Sequence, residues 1–136
     1  MQKNTEVVRR IIEERAITGL WDSDCDYYPT RKFPDAVPRH GPEECSRFMI
    51  QFRETWARFE NPIKRLVPIS DDRVLAATTI RAEGPGSRVK VEGDLYYCVW
   101  LRHGQVFRWE DHLTLKGALH ALGLHGETLQ AAGLEE

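Results

Sequence analysis

The sequence predicts an α+β fold, and three features carry the prediction. Val7, Val8, Ile11 and Ile12 recur at helical spacing near the start. Phe48, Phe52, Trp56 and Phe59 recur every three or four positions further on. From residue 63 to about 113, runs rich in Val, Ile, Leu, Thr and aromatics are separated by turn residues.

The first helix is read over residues 5–20, with Ile17 continuing its apolar spacing and Gly19 ending it. Residues 21–29, WDSDCDYYP, follow. Asp22, Asp24 and Asp26 open like a calcium loop, but Tyr27 stands where that loop needs Gly and Phe33 where it needs Glu. A strand fits better, with Asp24, Asp26 and Tyr28 on one parity and Cys25 and Tyr27 on the other. Asp22 and Asp24 are read as solvated or capping groups, and Asp26 is open between interior and surface. Pro29, Pro34, Pro38 and Pro42 make residues 29–42 a wrapping loop.

A second helix opens at Gly41-Pro42-Glu43-Glu44, where proline and acids suit a first turn. It carries the stripe Phe48, Phe52, Trp56, Phe59, and Asn61-Pro62 stops it. Strands are then expected over Ile63–Ile69, Arg73–Ala82, Val89–Leu101 and Gln105–Leu113, consecutive, antiparallel and joined by tight turns. VLAATTI and LYYCVWL are apolar on both parities, so both sheet faces are expected to be covered. GALHALGL and ETLQAAGL suggest a short helix with a glycine cap and a second helical turn.

The chain has 136 residues and a formal charge of -2, which suits one domain over 1–136. Lys and Arg are scattered, so neither nucleic acid nor a membrane surface is an expected partner. No signal-like or bilayer-spanning apolar run is present. Cys25, Cys45 and Cys98 form no CxxC pair or zinc pattern, so reduced thiols, a cytoplasmic setting and no metal are expected.

The stretches HGPEECSRFMIQFRETW, EGPGSRVKVEG and LRHGQVFRWEDHLTLKGALHALGL, in that order, resemble the SnoaL-like group of the nuclear transport factor 2-like superfamily. The resemblance spans about residues 7–124. It implies a strongly curved antiparallel sheet wrapped around the N-terminal and central helices, forming a cone with an internal pocket. It also implies dimerisation through the outer sheet face. Isomerases, epoxide hydrolases, polyketide cyclases, dehydratases and members that only bind share this fold, so fold alone fixes no reaction.

On the resemblance, Tyr28 stands before Pro29, where the ketosteroid isomerase branch carries its base, and would act as a phenol donor. Aligning the tails puts Thr114 where the cyclases carry an acid, and His112 where a tyrosine is frequent. If the parity of Arg108, Glu110 and His112 faces the pocket, His112 is the expected base, supported by Glu110 or Asp26, with Arg108 for an anionic group. Asp111, on the other parity, would cap the last helix or pair across a dimer. Trp56, Phe52, His40 and Thr114 are the remaining candidates for ligand contact, while His103, His120 and His125 read as surface. The function expected is cofactor-independent acid/base chemistry on a small apolar cyclic molecule, of isomerase, cyclase, hydrolase or dehydratase type. The alternative is a non-catalytic binding or dimerisation module.

Overall fold

A computed structural model of the chain describes residues 2–15, 18–30, 32, 36–86 and 89–124. Helix α1 spans Gln2–Glu14, and a short 3-10 turn, Thr18–Leu20, leads into strand β1, Trp21–Tyr28. Strand β2 is Arg39–His40, helix α2 Pro42–Thr55, β3 Arg58–Glu60, β4 Ile63–Ser70 and β5 Arg73–Glu83. Strand β6 is Lys90–Arg102, β7 is Gln105–His112 and helix α3 is Leu115–Ala121. Ile17, Phe33, Pro34 and the ETLQAAGL turn lie outside the described residues.

Helix α1 ends earlier than its apolar spacing suggests. Arg15 has φ 61, a left-handed conformation that breaks the helix, while its N–H still bonds Ile11 O at 2.9 Å. Helix α2 begins as read, with Gly41 at φ 90, Pro42 in the first turn and Glu43 and Glu44 beside it. It stops at Thr55 because Trp56 is extended. Phe59 therefore reaches the aromatic stripe from β3 rather than from the helix, with its ring centroid 5.7 Å from that of Phe52.

Among the described residues the sheet has seven strands in the order β2-β1-β7-β6-β5-β3, with β4 also on β5. The meander from β4 to β7 is antiparallel as expected. The sheet as a whole is mixed, because β1 lies parallel to β7, with Tyr27 opposite Trp109 and Tyr28 opposite Glu110. Register shifts in β1, in β4 and between β6 and β7 mark bulges, which bend strands and curl the sheet.

One sheet face packs on α1 and α2. Val8, Ile11, Trp21, Cys25, Tyr27, Phe48, Met49, Leu95, Tyr97, Val99 and Trp109 form that core. Each large apolar side chain buried there contributes roughly 1.5–3 kcal/mol. The other face meets α3, through Leu75, Cys98, Ala118, Leu119 and Leu122. Thr114 caps α3, its Oγ1 accepting from Gly117 N at 3.0 Å. Part of the expected second cover is thus the chain's own last helix. No helix among the described residues is long and apolar enough to cross a membrane.

Candidate active site

Along β7 the burial alternation places Val106, Trp109 and Asp111 inward, with Arg108, Glu110 and His112 outward. Val106 and Trp109 are three residues apart yet both buried, because the β6–β7 bulge lies between them. The expectation that the Arg108 parity lines the interior is therefore reversed. In β1 the bulge does similar work: Asp24 N donates to Asp22 Oδ1 at 2.9 Å, and Trp21, Cys25 and Tyr27 all turn inward.

Asp111 is the buried carboxyl of the interior, only 8% exposed. Tyr27 Oη donates to its Oδ2 at 2.9 Å, and Trp109 Nε1 donates to its Oδ1 at 3.2 Å. Burial penalises the charged form more than these two donors favour it, so its pKa rises from 3.8 to about 7. Burial, and next the Asp111 charge, hold the Tyr27 phenol well above its usual range, so it stays a neutral donor. The reading of Asp111 as a helix cap or a dimer contact gives way to this placement.

A second polar group extends across the same interior. Tyr97, whose Cα faces that of Asp111 across the β6–β7 ladder, donates to Asn61 Oδ1 at 2.6 Å. Arg15, 5% exposed, donates to the same oxygen at 3.1 Å and lies 4.7 Å over the Phe59 ring. Asn61 Nδ2 donates to Thr78 Oγ1 at 2.9 Å and to Thr79 O at 3.0 Å. Aromatic rings surround both groups: Tyr27–Phe48 at 5.3 Å, Tyr97–Trp109 at 5.0 Å and Phe52–Trp56 at 5.9 Å between centroids. Phe52 and Trp56 thus stand in the interior, as read from the helix stripe.

A cleft of about 260 Å³ opens beside this interior. Ile80, Val91 and Leu113 line it with their apolar side chains, and Lys32, Glu92 and Asp94 form its polar edge. Leu113 is two residues beyond Asp111, roughly 6.5–7 Å along the strand direction.

The remaining residues singled out in the sequence gather elsewhere. Arg108 bonds Glu110 Oε2 at 2.6 Å, and Glu110 Oε1 lies 2.9 Å from His112 Nε2. Chiefly the His112 hydrogen bond, and then the Arg108 bond and charge, hold the Glu110 carboxyl below its usual range against partial burial. The Arg108 guanidinium sits 4.6 Å over Tyr28 and 5.5 Å from the Trp100 ring. Tyr28, Arg108, Glu110 and His112 are thus one cluster, on the outer face. Asp26 pairs with His40 Nδ1 at 2.8 Å in an exposed contact. Asp22 holds Arg102 through two bonds of 3.0 and 3.1 Å, which draw its pKa down to about 2. Among the described residues, no group of three or more His, Cys, Asp or Glu side chains is placed to hold a metal ion.

Sequence reasoning missed Asp111, Tyr27, Tyr97, Asn61 and Arg15. One signal was present: Phe107, Trp109 and Leu113 make the Asp111 parity the apolar one at the end of β7.

No protein-family model matches the sequence, and no curated protein matches it either. Solved structures do share its shape. A protein with a ketosteroid isomerase-like fold from Catenulispora acidiphila, solved with trimethylamine, has TM-score 0.68 at 14% identity, over 90% of this chain and 95% of that one. A protein described as a putative SnoaL-like polyketide cyclase, from a Jannaschia species, has TM-score 0.69 at 17% identity, over 88% and 91%. A protein from a soil-derived mobile gene cassette has TM-score 0.68 at 23% identity, over 86% and 93%. The chain therefore has the α+β cone fold of the nuclear transport factor 2-like proteins, as the sequence resemblance implied.

Proposed function

We propose that the protein is a small-molecule enzyme that moves a proton within the cone, with Asp111 as the transferring group. The observation that carries this is a buried carboxyl poised at about 7, held between a phenol and an indole in an aromatic interior. A carboxyl at that value is populated in both forms near neutral pH, so it takes and returns protons with equal ease. Tyr27 donates to it and steadies the carboxylate. The apolar Ile80–Val91–Leu113 cleft, which begins two residues from Asp111, suits a small apolar cyclic molecule. Isomerisation, cyclisation, hydrolysis and dehydration all contain a proton transfer of this kind. Solved proteins with this fold include one described as a polyketide cyclase and one related to phenazine biosynthesis, which favours ring-containing ligands.

The test is α-proton exchange in D₂O, followed by NMR over a panel of cyclic ketones. The protein should exchange at least one ketone above background, Asp111→Asn should lose that activity, and His112→Ala should keep it. Full exchange by Asp111→Asn, or its loss in His112→Ala, would remove Asp111 from the role.

A second reading has its own support. Phe52 and Trp56 are buried against one another, and both acceptor oxygens of Asp111 are already used. That arrangement suits a binding or dimerisation module with a satisfied polar core. Saturable binding of cyclic ketones without exchange would favour it. On either reading, two copies are proposed to meet through the outer face, where Ile69, Tyr96 and Trp100 are partly buried hydrophobics. Sedimentation should give a dimer that Trp100→Glu converts to monomer.

A further inference from the structure

Cys25 on β1 and Cys45 in the first turn of α2 play no part in the proton-transfer group. Their Sγ atoms are 3.7 Å apart, about van der Waals contact, and both residues are 0% exposed. The backbone around them is tied at three points. Gly41 N donates to Cys25 O at 2.9 Å, Cys45 N donates to Gly41 O at 3.0 Å, and β1 pairs with β2 at Asp26 and His40. The two thiols therefore meet at one fixed junction between strand and helix. Cys98, the remaining cysteine, lies on the other sheet face, its thiol donating to Ala118 O at 3.3 Å.

We propose that Cys25 and Cys45 form a redox site, which hydrogen peroxide closes into a disulfide. Closure asks the sulfurs to approach by less than about 2 Å, within reach of side-chain rotation and a small shift of the helix turn. The thiols differ in role. The Cys25 S–H points to Cys45 Sγ and the Cys45 S–H donates to Arg39 O, each at 3.7 Å, and the pairing with Cys45 draws the Cys25 thiol below its usual range. Pairing with Cys25, and next burial, push the Cys45 thiol up. With the Cys45 proton held by Arg39 O, Cys25 is the attacking sulfur and Cys45 the resolving one. Peroxide is small and uncharged, so it suits a buried pair better than a bulky disulfide reagent.

The Cys25 sulfur attacks one peroxide oxygen, the O–O bond breaks, and the departing hydroxide takes the Cys25 proton as water. Cys25 is then a sulfenic acid. The Cys45 sulfur attacks the Cys25 sulfur, the S–O bond breaks, and hydroxide leaves with the Cys45 proton as a second water. Two thiols give up two electrons and peroxide accepts both. The product pins β1 to α2 beside the Tyr27–Phe48 contact, so oxidation locks the wall of the interior.

The test exposes the native chain to hydrogen peroxide and reads intact mass and a non-reducing tryptic map. The expected result is a loss of about 2 Da, a link between the peptides carrying Cys25 and Cys45, and reversal by dithiothreitol. Cys98 stays open to alkylation after unfolding, and the pair closes roughly tenfold or more faster than Cys98 oxidises. In Cys45→Ser, Cys25 gains oxygen, about 16 Da at a time, instead of losing hydrogen. The proposal is overturned if wild-type mass stays unchanged with all thiols alkylatable. Oxygen adducts on the wild type without a link, a link through Cys98, or closure no faster in the native protein than in urea would overturn it equally.

Discussion

Replacing Asp111 by Asn removes one titration and almost no volume, so it isolates the buried carboxyl. In the folded chain this group titrates at about 7, against 3.8 for an ordinary Asp. The folded value is raised, so the stabilising contribution is complete below about 3.8 and is lost as pH rises toward 7. In that window the unfolded chain releases the proton while the folded one keeps it, and stability falls by about 1.36 kcal/mol per pH unit. Across the whole window the loss is about 4 kcal/mol, and between pH 5 and pH 8 it is about 2.5 kcal/mol. Asn carries none of this dependence. The difference in unfolding free energy, Asp111→Asn minus wild type, should therefore grow more favourable to the variant by about 2.5 kcal/mol from pH 5 to pH 8. The other titrating groups cancel in that difference. Urea unfolding followed by tryptophan fluorescence measures it, since Trp21 and Trp109 sit in the core. At a slope near 2 kcal/mol per molar urea the relative midpoint moves by about 1 M, well above error. A difference that stays flat across this range would refute the argument that Asp111 is buried with a raised pKa.

Tyr27→Phe removes a donor that favours the Asp111 carboxylate, so the carboxyl should titrate above the wild-type value, as read by carbon NMR of the labelled side chain. Asn61→Ala strips the shared acceptor from Tyr97 and Arg15 and should cost about 3 kcal/mol or more, because it leaves a buried cation short of a partner. Urea unfolding checks it, and a cost below about 1 kcal/mol would show that Arg15 finds water or another acceptor. Glu110 has a lowered pKa, so its contribution is present above about 4.5 and lost as pH falls through the folded value. Glu110→Gln should therefore be less stable than wild type at pH 7, by under about 1 kcal/mol for a partly exposed group. The deficit should vanish near pH 3 in thermal melts.

The fold was legible because its signals are local and repeated. Val8, Ile11 and Ile12 fix the buried side of α1, Pro42-Glu43-Glu44 fixes the start of α2, and the tight turns at Asp71-Asp72 and His103-Gly104 fix the meander. Two features were not local and did not show. The parallel pairing of β1 with β7 joins residues more than eighty positions apart and follows from curling the sheet, not from either strand's own pattern. The inward parity of β7 depends on a bulge, which lets Val106 and Trp109 both face the core. A strict period-2 reading from Val106 carries Arg108, Glu110 and His112 inward. A reading from Trp109 carries Asp111 instead, and a one-residue slip exchanges the faces of every side chain beyond it. The inward placement of Asp111 was missed for that single residue of register. The interior aromatic Phe52 was legible because a helix stripe involves no such choice, and Trp56 continues that stripe just past the end of α2.

The interior is more polar than stability alone requires. A carboxyl buried at 8% exposure, a guanidinium buried at 5%, and a left-handed backbone at Arg15 each work against the folded state. At neutral pH the carboxyl alone offsets about 4 kcal/mol, a large share of the 5–15 kcal/mol typical of a domain. An apolar residue at 111 gives no simple relief, since it strands the Tyr27 hydroxyl and the Trp109 N–H without acceptors. The group is therefore a unit: relief requires changing Asp111, Tyr27 and Trp109 together. Leu at 111 with Phe at 27 would fill a comparable volume without the penalty. The proton transfer proposed above would account for the buried carboxyl, since the burial that destabilises the carboxylate also brings its pKa toward neutrality.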